Sequence, residues 1–248
     1  MDVIGVIPAR YSSARFSGKV LAEISGKSML EHVWERAKKS RLLDDLIIAC
    51  DEEKVAEKAR EFGAKVVMTS KDHACGSDRI AEVVNPLDVK VIINIQADEP
   101  LIHPTMIDSV AQALLGNKSI SMATLMKKIE NQELINDPNI VKVVVDMNNF
   151  ALYFSRAVIP FKALNSEVDS PSYYKHIGLY GYTKDFLFIY KNLAPSNLER
   201  IEKLEQLRVL EEGYRIKVVE TKYDTIGVDT PEDLVRVEEY IKAETGKK

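Results

Sequence analysis

Apolar positions in the first half of the chain follow two alternating patterns. Short, β-branched runs, VIGVIP (3–8), DLIIAC (45–50), KVVMT (65–69) and VIINIQ (91–96), are each followed by a longer segment: SMLEHVWERAKKS, EEKVAEKAREFG, GSDRIAEVV and PTMIDSVAQALLG in turn. In the longer segments apolar residues recur three and four positions apart, as Met29, Leu30, Val33, Trp34 and Ala37 do, which marks one face of a helix. The short runs are apolar at successive positions rather than at every second one, so the strands they predict are buried on both faces. This β-α-β-α rhythm predicts an α/β fold with a parallel sheet between layers of helices.

From residue 120 to about 183 the pattern changes to strand-like pieces, SMATLM, IVKVVVD, ALYFSR and HIGLYGYT, with a polar loop, KALNSEVDSPSYYK, among them. A helical signal returns in SNLERIEKLEQLRVLEEG, with Gly213 as its predicted C-cap, and the strand IKVVETK follows. The last helix opens at DTPEDL, where Thr230 caps, Pro231 takes the first helical position and acids fill the first turn. No internal repeat, low-complexity tract or linker interrupts the chain. The expectation is a single domain over 1–248 with an embedded subdomain at about 120–190.

Composition narrows the class. Hydrophobic residues make up 46% and charged residues 29% of 248 positions, the balance of a folded enzyme-sized body. The net charge of −4 supplies no global positive field for nucleic acid or an anionic membrane, so any basic site must be local. The start, MDVIGVIPAR, lacks the features of a secretory signal, and no apolar run has the length of a membrane span. With Cys50 and Cys75 alone, a disulfide framework is not expected and a reducing cytoplasm is.

Against that acidic background, PARYSSARFSGK concentrates Arg10, Arg15 and Lys19 at the carboxyl end of the first strand, where open parallel sheets bind their ligands. Two guanidinium forks, a compact ammonium and small residues that let backbone N–H groups approach an anion suit a polyphosphate; the other reading is a solvated β-α turn. The loop matches neither G-x-x-x-x-G-K-[ST] nor G-x-G-x-x-G, which argues against a Walker-type ATPase and a dinucleotide-binding dehydrogenase. In INIQADEPLI, Asp98 and Glu99 follow the fourth apolar strand at the same sheet edge, and Asp98 suits Mg²⁺ held jointly with substrate phosphate. Asp229, in TIGVDTPEDL, is open to two readings, a second carboxylate ligand or a turn residue ahead of the helix.

Seven segments in order, IPARYSSARFSGK, CGSDRIAEVV, INIQADEPLI, YFSRAVIPF, YKHIGLYGYT, KLEQLRVLEEG and GVDTPEDL, resemble the bacterial 3-deoxy-manno-octulosonate (Kdo) cytidylyltransferases over nearly the whole chain. The resemblance implies a three-layer sugar-nucleotidyltransferase fold with a mostly parallel central sheet and a mixed β dimerisation subdomain. It also implies a cytoplasmic homodimer that uses Mg²⁺ to make CMP-Kdo and pyrophosphate from CTP and the ulosonic acid for lipopolysaccharide assembly. It assigns Pro8, Ala9, Arg10, Arg15, Lys19, Ser77 and Arg79 to the nucleotide and Asp98 and Asp229 to the metal, with Arg10, Arg15, Lys19 and Asp98 forming the catalytic set. To the sugar acid it assigns Gln96, Arg156, His176, Tyr180, Glu205 and Gln206, with Arg156 pairing with the carboxylate. The chain departs from the family where RFSGKVL replaces the commoner RLPGKPL, where Ala97 replaces Gly and where Cys75 replaces Ser. Ala at 97 would be costly if that position needed a positive φ, or would block a close backbone approach to substrate. Other readings are a nucleotidyltransferase for a nine-carbon sialic acid or another nucleotide, and a nucleotide sensor without catalysis.

Overall fold

The computed structural model describes residues 1–11, 16, 18–73, 75–164, 166–167 and 171–245; Arg15 and Ser17 of the basic loop lie outside them. Its strands are β1 Val3–Ala9, β2 Glu23–Ile24, β3 Lys27–Ser28, β4 Asp45–Cys50, β5 Lys65–Met68, β6 Val91–Asn94, β7 Met122–Lys128, β8 Lys142–Val145, β9 Ala151–Ser155, β10 Tyr174–Thr183 and β11 Lys217–Glu220. The helices are α1 Met29–Ala37, α2 Glu53–Glu61, α3 Gly76–Val84, α4 Pro104–Gly116, α5 Lys184–Tyr190, α6 Asn197–Glu202, α7 Leu207–Glu211 and α8 Pro231–Thr245.

The main sheet runs β11-β7-β10-β6-β1-β4-β5, and the β8–β9 hairpin joins it through β10. β1 pairs in parallel with β4 and β6, β4 with β5, and β11 with β7, whereas β10 runs antiparallel to both β6 and β7. On this path β10 is thus the reversed strand, and the sheet is mostly parallel. Residues 120–190 contribute β7 and β10 to the sheet itself and carry the β8–β9 hairpin.

Alternation along each strand divides the core in two. From β1, Val3, Ile7 and Ala9 pack toward α1, α2 and α4, while Ile4 and Val6 pack toward α3, α5 and α7. Both sets are buried, each fully buried Ile or Val side chain contributing about 1.5–3 kcal/mol, and the result is three layers. Gly181 of β10 lets α4 approach closely, since a Cβ there would lie 2.6 Å from Val110 Cγ1 and 2.7 Å from Leu114 Cδ1. A third cluster, Ile24, Met29, Leu101, Val228, Val237 and Ile241, seats α8 over the β2–β3 hairpin and holds the residues before α8 near the sheet edge.

Local signals account for the helix ends. Ser28 caps α1, and Thr230 accepts a bond from the Asp233 N–H at the start of α8. The helical signal over 196–213 is not one helix: it divides into α6 and α7, separated by Lys203–Gln206. Tertiary contacts explain the break. The Glu202 carboxylate accepts the Ser155 hydroxyl and the Arg156 N–H, while Leu204 and Leu207 turn into the core. Gly213, at φ 79°, then ends α7 as expected. Helix α5 and the β2–β3 hairpin were not anticipated from the pattern.

Candidate functional site

Two cavities open beyond the carboxyl ends of β1 and β6, where the chain order of the parallel strands reverses direction across the sheet. The first, of about 310 Å³, is lined by Pro8, Arg10, Lys19, His73, Arg79, Gln96, Asp98 and Asp229, with Cys75, Gly76 and Ala97 among its small residues. The second, of about 370 Å³, is lined by Ser77, Asn94, Tyr180, Tyr182, Tyr190, Lys203, Glu205 and Gln206. They share one wall, made by Arg10, Cys75, Gly76 and Gln96.

In the first cavity Lys19 is the junction of three segments far apart in sequence. Its Nζ donates to Asp98 Oδ2 at 2.6 Å, to Asp229 Oδ1 at 3.2 Å and to the Val228 carbonyl at 3.1 Å. The Val228 N–H in turn donates to the Asp98 carbonyl at 2.9 Å. Burial alone would lower the Lys19 pKa, but the two carboxylates outweigh it and the net shift is upward, so the ammonium is charged. Two carboxylates converging on one cationic atom stand close enough to share another small, hard cation. Among the described residues no third His, Cys, Asp or Glu side chain joins them. Two protein oxygens completed by substrate phosphate oxygens is a donor set that fits Mg²⁺.

Arg79 is buried, and its guanidinium binds Asp51 at 2.8 Å and the Thr69 hydroxyl. The other Asp51 oxygen accepts the Tyr11 N–H at 3.2 Å, so this pair ties α3 to the basic loop at Tyr11. Arg79 therefore shapes the cavity wall with its charge already matched. Ala9 is buried in β1 and does not line either cavity. Ser77 lines the second cavity rather than the first. Ala97 lines the first cavity and is not among the described residues with positive φ, so its backbone conformation does not require glycine.

The second cavity is aromatic. Tyr180, Tyr182 and Tyr190 are stacked in sequence, and burial pushes the Tyr180 and Tyr190 phenols well up, which keeps both neutral. Gln96 Nε2 donates to Asn94 Oδ1 at 3.2 Å and the Tyr190 hydroxyl to Glu205 Oε2 at 3.3 Å. Register between β10 and β7 shifts between Ile177 and Gly181, and the buried Thr124 hydroxyl of β7 meets both the Ile177 and Leu179 carbonyls. That irregularity delivers Gly178 and Tyr180 to the cavity.

Two of the anticipated sugar-acid residues are not brought here. Arg156 lines neither cavity: its Nε donates to the Glu202 carbonyl at 2.9 Å and its Nη1 to the Pro138 carbonyl at 3.0 Å. The guanidinium ties the residue that follows β9 to the end of α6 and to Pro138. His176 also lies outside both linings, with Nε2 2.9 Å from Thr124 Oγ1 and its ring edge-on to Phe154. Burial pushes its imidazole down to about 3.

Sequence reading missed His73, Asn94, Tyr182, Tyr190 and Lys203. Asn94 and Tyr182 belong to strands and read as core positions, and Tyr190 ends a helix that the pattern did not reveal. His73 pairs with Glu82 beside the quoted CGSDR segment and could have been found by extending that segment by two residues. Glu99 lines neither cavity; burial raises its pKa to about 7, only partly offset by Thr225, and its Oε2 has no hydrogen-bond partner.

A mostly parallel three-layer sheet with an acidic-basic cavity and an aromatic cavity side by side is the architecture of a group-transfer enzyme. Residues 4–217 match the cytidylyltransferase family model, and the chain belongs to that family. It is 54% identical over 97% of its length to the 3-deoxy-manno-octulosonate cytidylyltransferase of Solibacter usitatus, covering 95% of that protein, and 51% identical to the enzyme of the same name from Fusobacterium nucleatum, with 98% of each chain covered. Among solved structures, CMP:2-keto-3-deoxy-manno-octonic acid synthetase complexed with CTP superposes with a TM-score of 0.92 at 38% identity, covering 98% of this chain and all of the other. The 4-diphosphocytidyl-2C-methyl-D-erythritol synthase of Anaerococcus prevotii shares the fold alone, with a TM-score of 0.65 at 13% identity and coverage of 97% and 98%.

Proposed function

We propose that this chain transfers the cytidylyl group of CTP to 3-deoxy-D-manno-octulosonate, giving CMP-Kdo and pyrophosphate. The observation that carries the reading is the wall shared by the two cavities: a nucleotide in the charged cavity and an acid sugar in the aromatic one would meet at Arg10 and Gln96. The full-length similarity to enzymes of that name supports the same substrates.

The sugar's anomeric hydroxyl attacks the α-phosphorus in line. A new P–O bond forms, the bond to the β-phosphate oxygen breaks, pyrophosphate departs and the hydroxyl proton passes to solvent. The enzyme's work is positioning and charge neutralisation. Arg10 and Lys19 face the phosphates, the tyrosines and Gln96 orient the sugar, and Asp98 and Asp229 would hold Mg²⁺. When bound, that ion would supply charge neutralisation for the triphosphate and the leaving group. His176 is excluded as general base in this reading by its placement. Arg15 is assigned to the triphosphate on family resemblance.

A cytoplasmic location, a role in lipopolysaccharide assembly and a homodimer formed through residues 120–190 belong to the same proposal. Exposed Met147, Leu152, Phe161 and Leu164 in that segment support the dimer, which the mass in solution tests. The reaction is tested by pyrophosphate release from each of the four nucleoside triphosphates, with and without the acid. Release from CTP only when the acid is present is expected; release that ignores the acid, or none with CTP, overturns the proposal.

A further inference from the structure

Lys203 sits in the wall of the second cavity that is not shared with the first. It is the C-cap of α6, with φ 56° and ψ 46°, and its N–H donates to the Glu199 carbonyl at 2.7 Å. Among the described non-glycine residues with positive φ, the other two, Ser25 and Asn149, are short polar residues in turns, of a kind that suits such positions. A lysine is an uncommon occupant of this backbone geometry. Glu202 is held by Ser155 and Arg156 on one side and Leu204 and Gln206 are buried on the other, so the chain fixes Lys203 where it stands.

Charge at this wall is uneven. Glu205 is engaged by the Tyr190 hydroxyl and feels the nearby Arg208 cation. Lys203 is exposed and its side chain has no ion-pair or hydrogen-bond partner among the described residues; the other charged residues lining the same cavity are Arg10, at the shared wall, and Glu205. In the acceptor assigned under the proposed function, on which this inference rests, the carboxylate and the reacting hydroxyl share one carbon. That carbon must stand at the shared wall, beside Arg10 and the nucleotide. The polyhydroxylated tail then extends toward the unshared wall.

We propose that Lys203 is a specificity-determining residue: its ammonium donates hydrogen bonds to the hydroxyls at the acceptor's far end and, by like-charge repulsion, disfavours acceptors that carry an ammonium there. This role is distinct from the carboxylate pairing that sequence resemblance assigns to Arg156.

The test uses full-length enzyme, CTP, Kdo and a Kdo analogue with the terminal hydroxyl replaced by an amino group. Lys203→Asn removes the charge but suits the left-handed backbone, so its melting temperature is expected at or above that of the wild type. It should raise KM for Kdo at least about fivefold and leave KM for CTP within about twofold, and Lys203→Arg should restore the Kdo value. The wild type should favour Kdo over the amino analogue in kcat/KM, and Lys203→Asn should narrow that ratio at least about threefold. An unchanged Kdo KM, an equal rise in both KM values, or an unaltered ratio overturns the inference. A wild type that releases no pyrophosphate from CTP and Kdo overturns instead the proposed function beneath it.

Discussion

The two cavities share a wall but are built on opposite principles. The first is made by loops at the ends of parallel strands, and its chemistry is exposed formal charge brought together from residues 10, 19, 98 and 229. The second is made largely by the reversed strand β10 and the interrupted α6–α7 segment, and beside Arg10, Lys203 and Glu205 it presents mainly phenols and amides. A triphosphate carries several negative charges and is recognised by counter-charge; a sugar has many weak hydrogen-bonding groups and is recognised by shape, stacking and aligned dipoles. The contrast predicts that the first cavity is sensitive to single charge changes, and that the second is sensitive to the packing that aims its walls.

The strongest test of that contrast is Asp98→Asn. The substitution keeps size but removes one of the two carboxylates that converge on Lys19 and would hold Mg²⁺. Turnover should fall at least about a hundredfold while the melting temperature changes little, as measured on one sample. Normal turnover by the folded variant would place the chemistry elsewhere.

Next in size is the acid response of His176, which lies outside the second cavity but packs against its Tyr180. The folded-state pKa of His176, about 3, lies below its ordinary value of about 6.5. The unfolded chain therefore binds the extra proton first, and the stability due to the neutral ring is fully present above pH 6.5 and declines as pH falls toward 3. The decline is at most about 1.4 kcal/mol per pH unit. Urea unfolding at a series of pH values should be visibly flatter in this window for His176→Gln. An identical slope in the two proteins would mean the ring is not held neutral by burial.

Arg156 offers a way to break the comparison. Because its guanidinium spans the Glu202 and Pro138 carbonyls, Arg156→Lys should cost about 1–3 kcal/mol of stability through lost charge-assisted bonds. KM for CTP and for the acid should move together or not at all. A selective rise in the acid's KM would return Arg156 to the second cavity and add a further formal charge to its recognition of the acid. The smallest effect is expected from Ala97→Gly, since residue 97 is not in the positive-φ region: kcat/KM should stay within about threefold of the wild type, and stability should drop by at most about 1 kcal/mol.

Much of the architecture was legible because burial leaves a periodic trace. The strands at 45–50 and the helices at 76–84 and 104–116 begin and end where the apolar pattern does, since both faces of the sheet and one face of each helix exclude water. Lys19 and Asp98 were legible as candidates for a related reason, since charge beyond the end of a buried strand is conspicuous, whereas Asp229 was open to a turn reading and owed its metal role to family resemblance. Family resemblance also named Tyr180, Glu205 and Gln206, which do line one cavity.

Other features required the folded chain. Helical periodicity over 196–213 contains no sign that it breaks at Lys203, because the cause is Glu202 reaching Ser155 and Arg156 across 46 and 47 positions of sequence. Arg156 was assigned to the acid's carboxylate by family resemblance, and sequence does not reveal that its guanidinium is engaged by the Glu202 and Pro138 carbonyls. The sequence by itself determined which segments are buried and which charges stand at strand ends, since hydrophobicity and charge are properties of individual residues. Only the tertiary structure decided which polar groups face each other across the second cavity, since hydrogen-bond partnership is a property of pairs whose distance is set by the packing of everything between them.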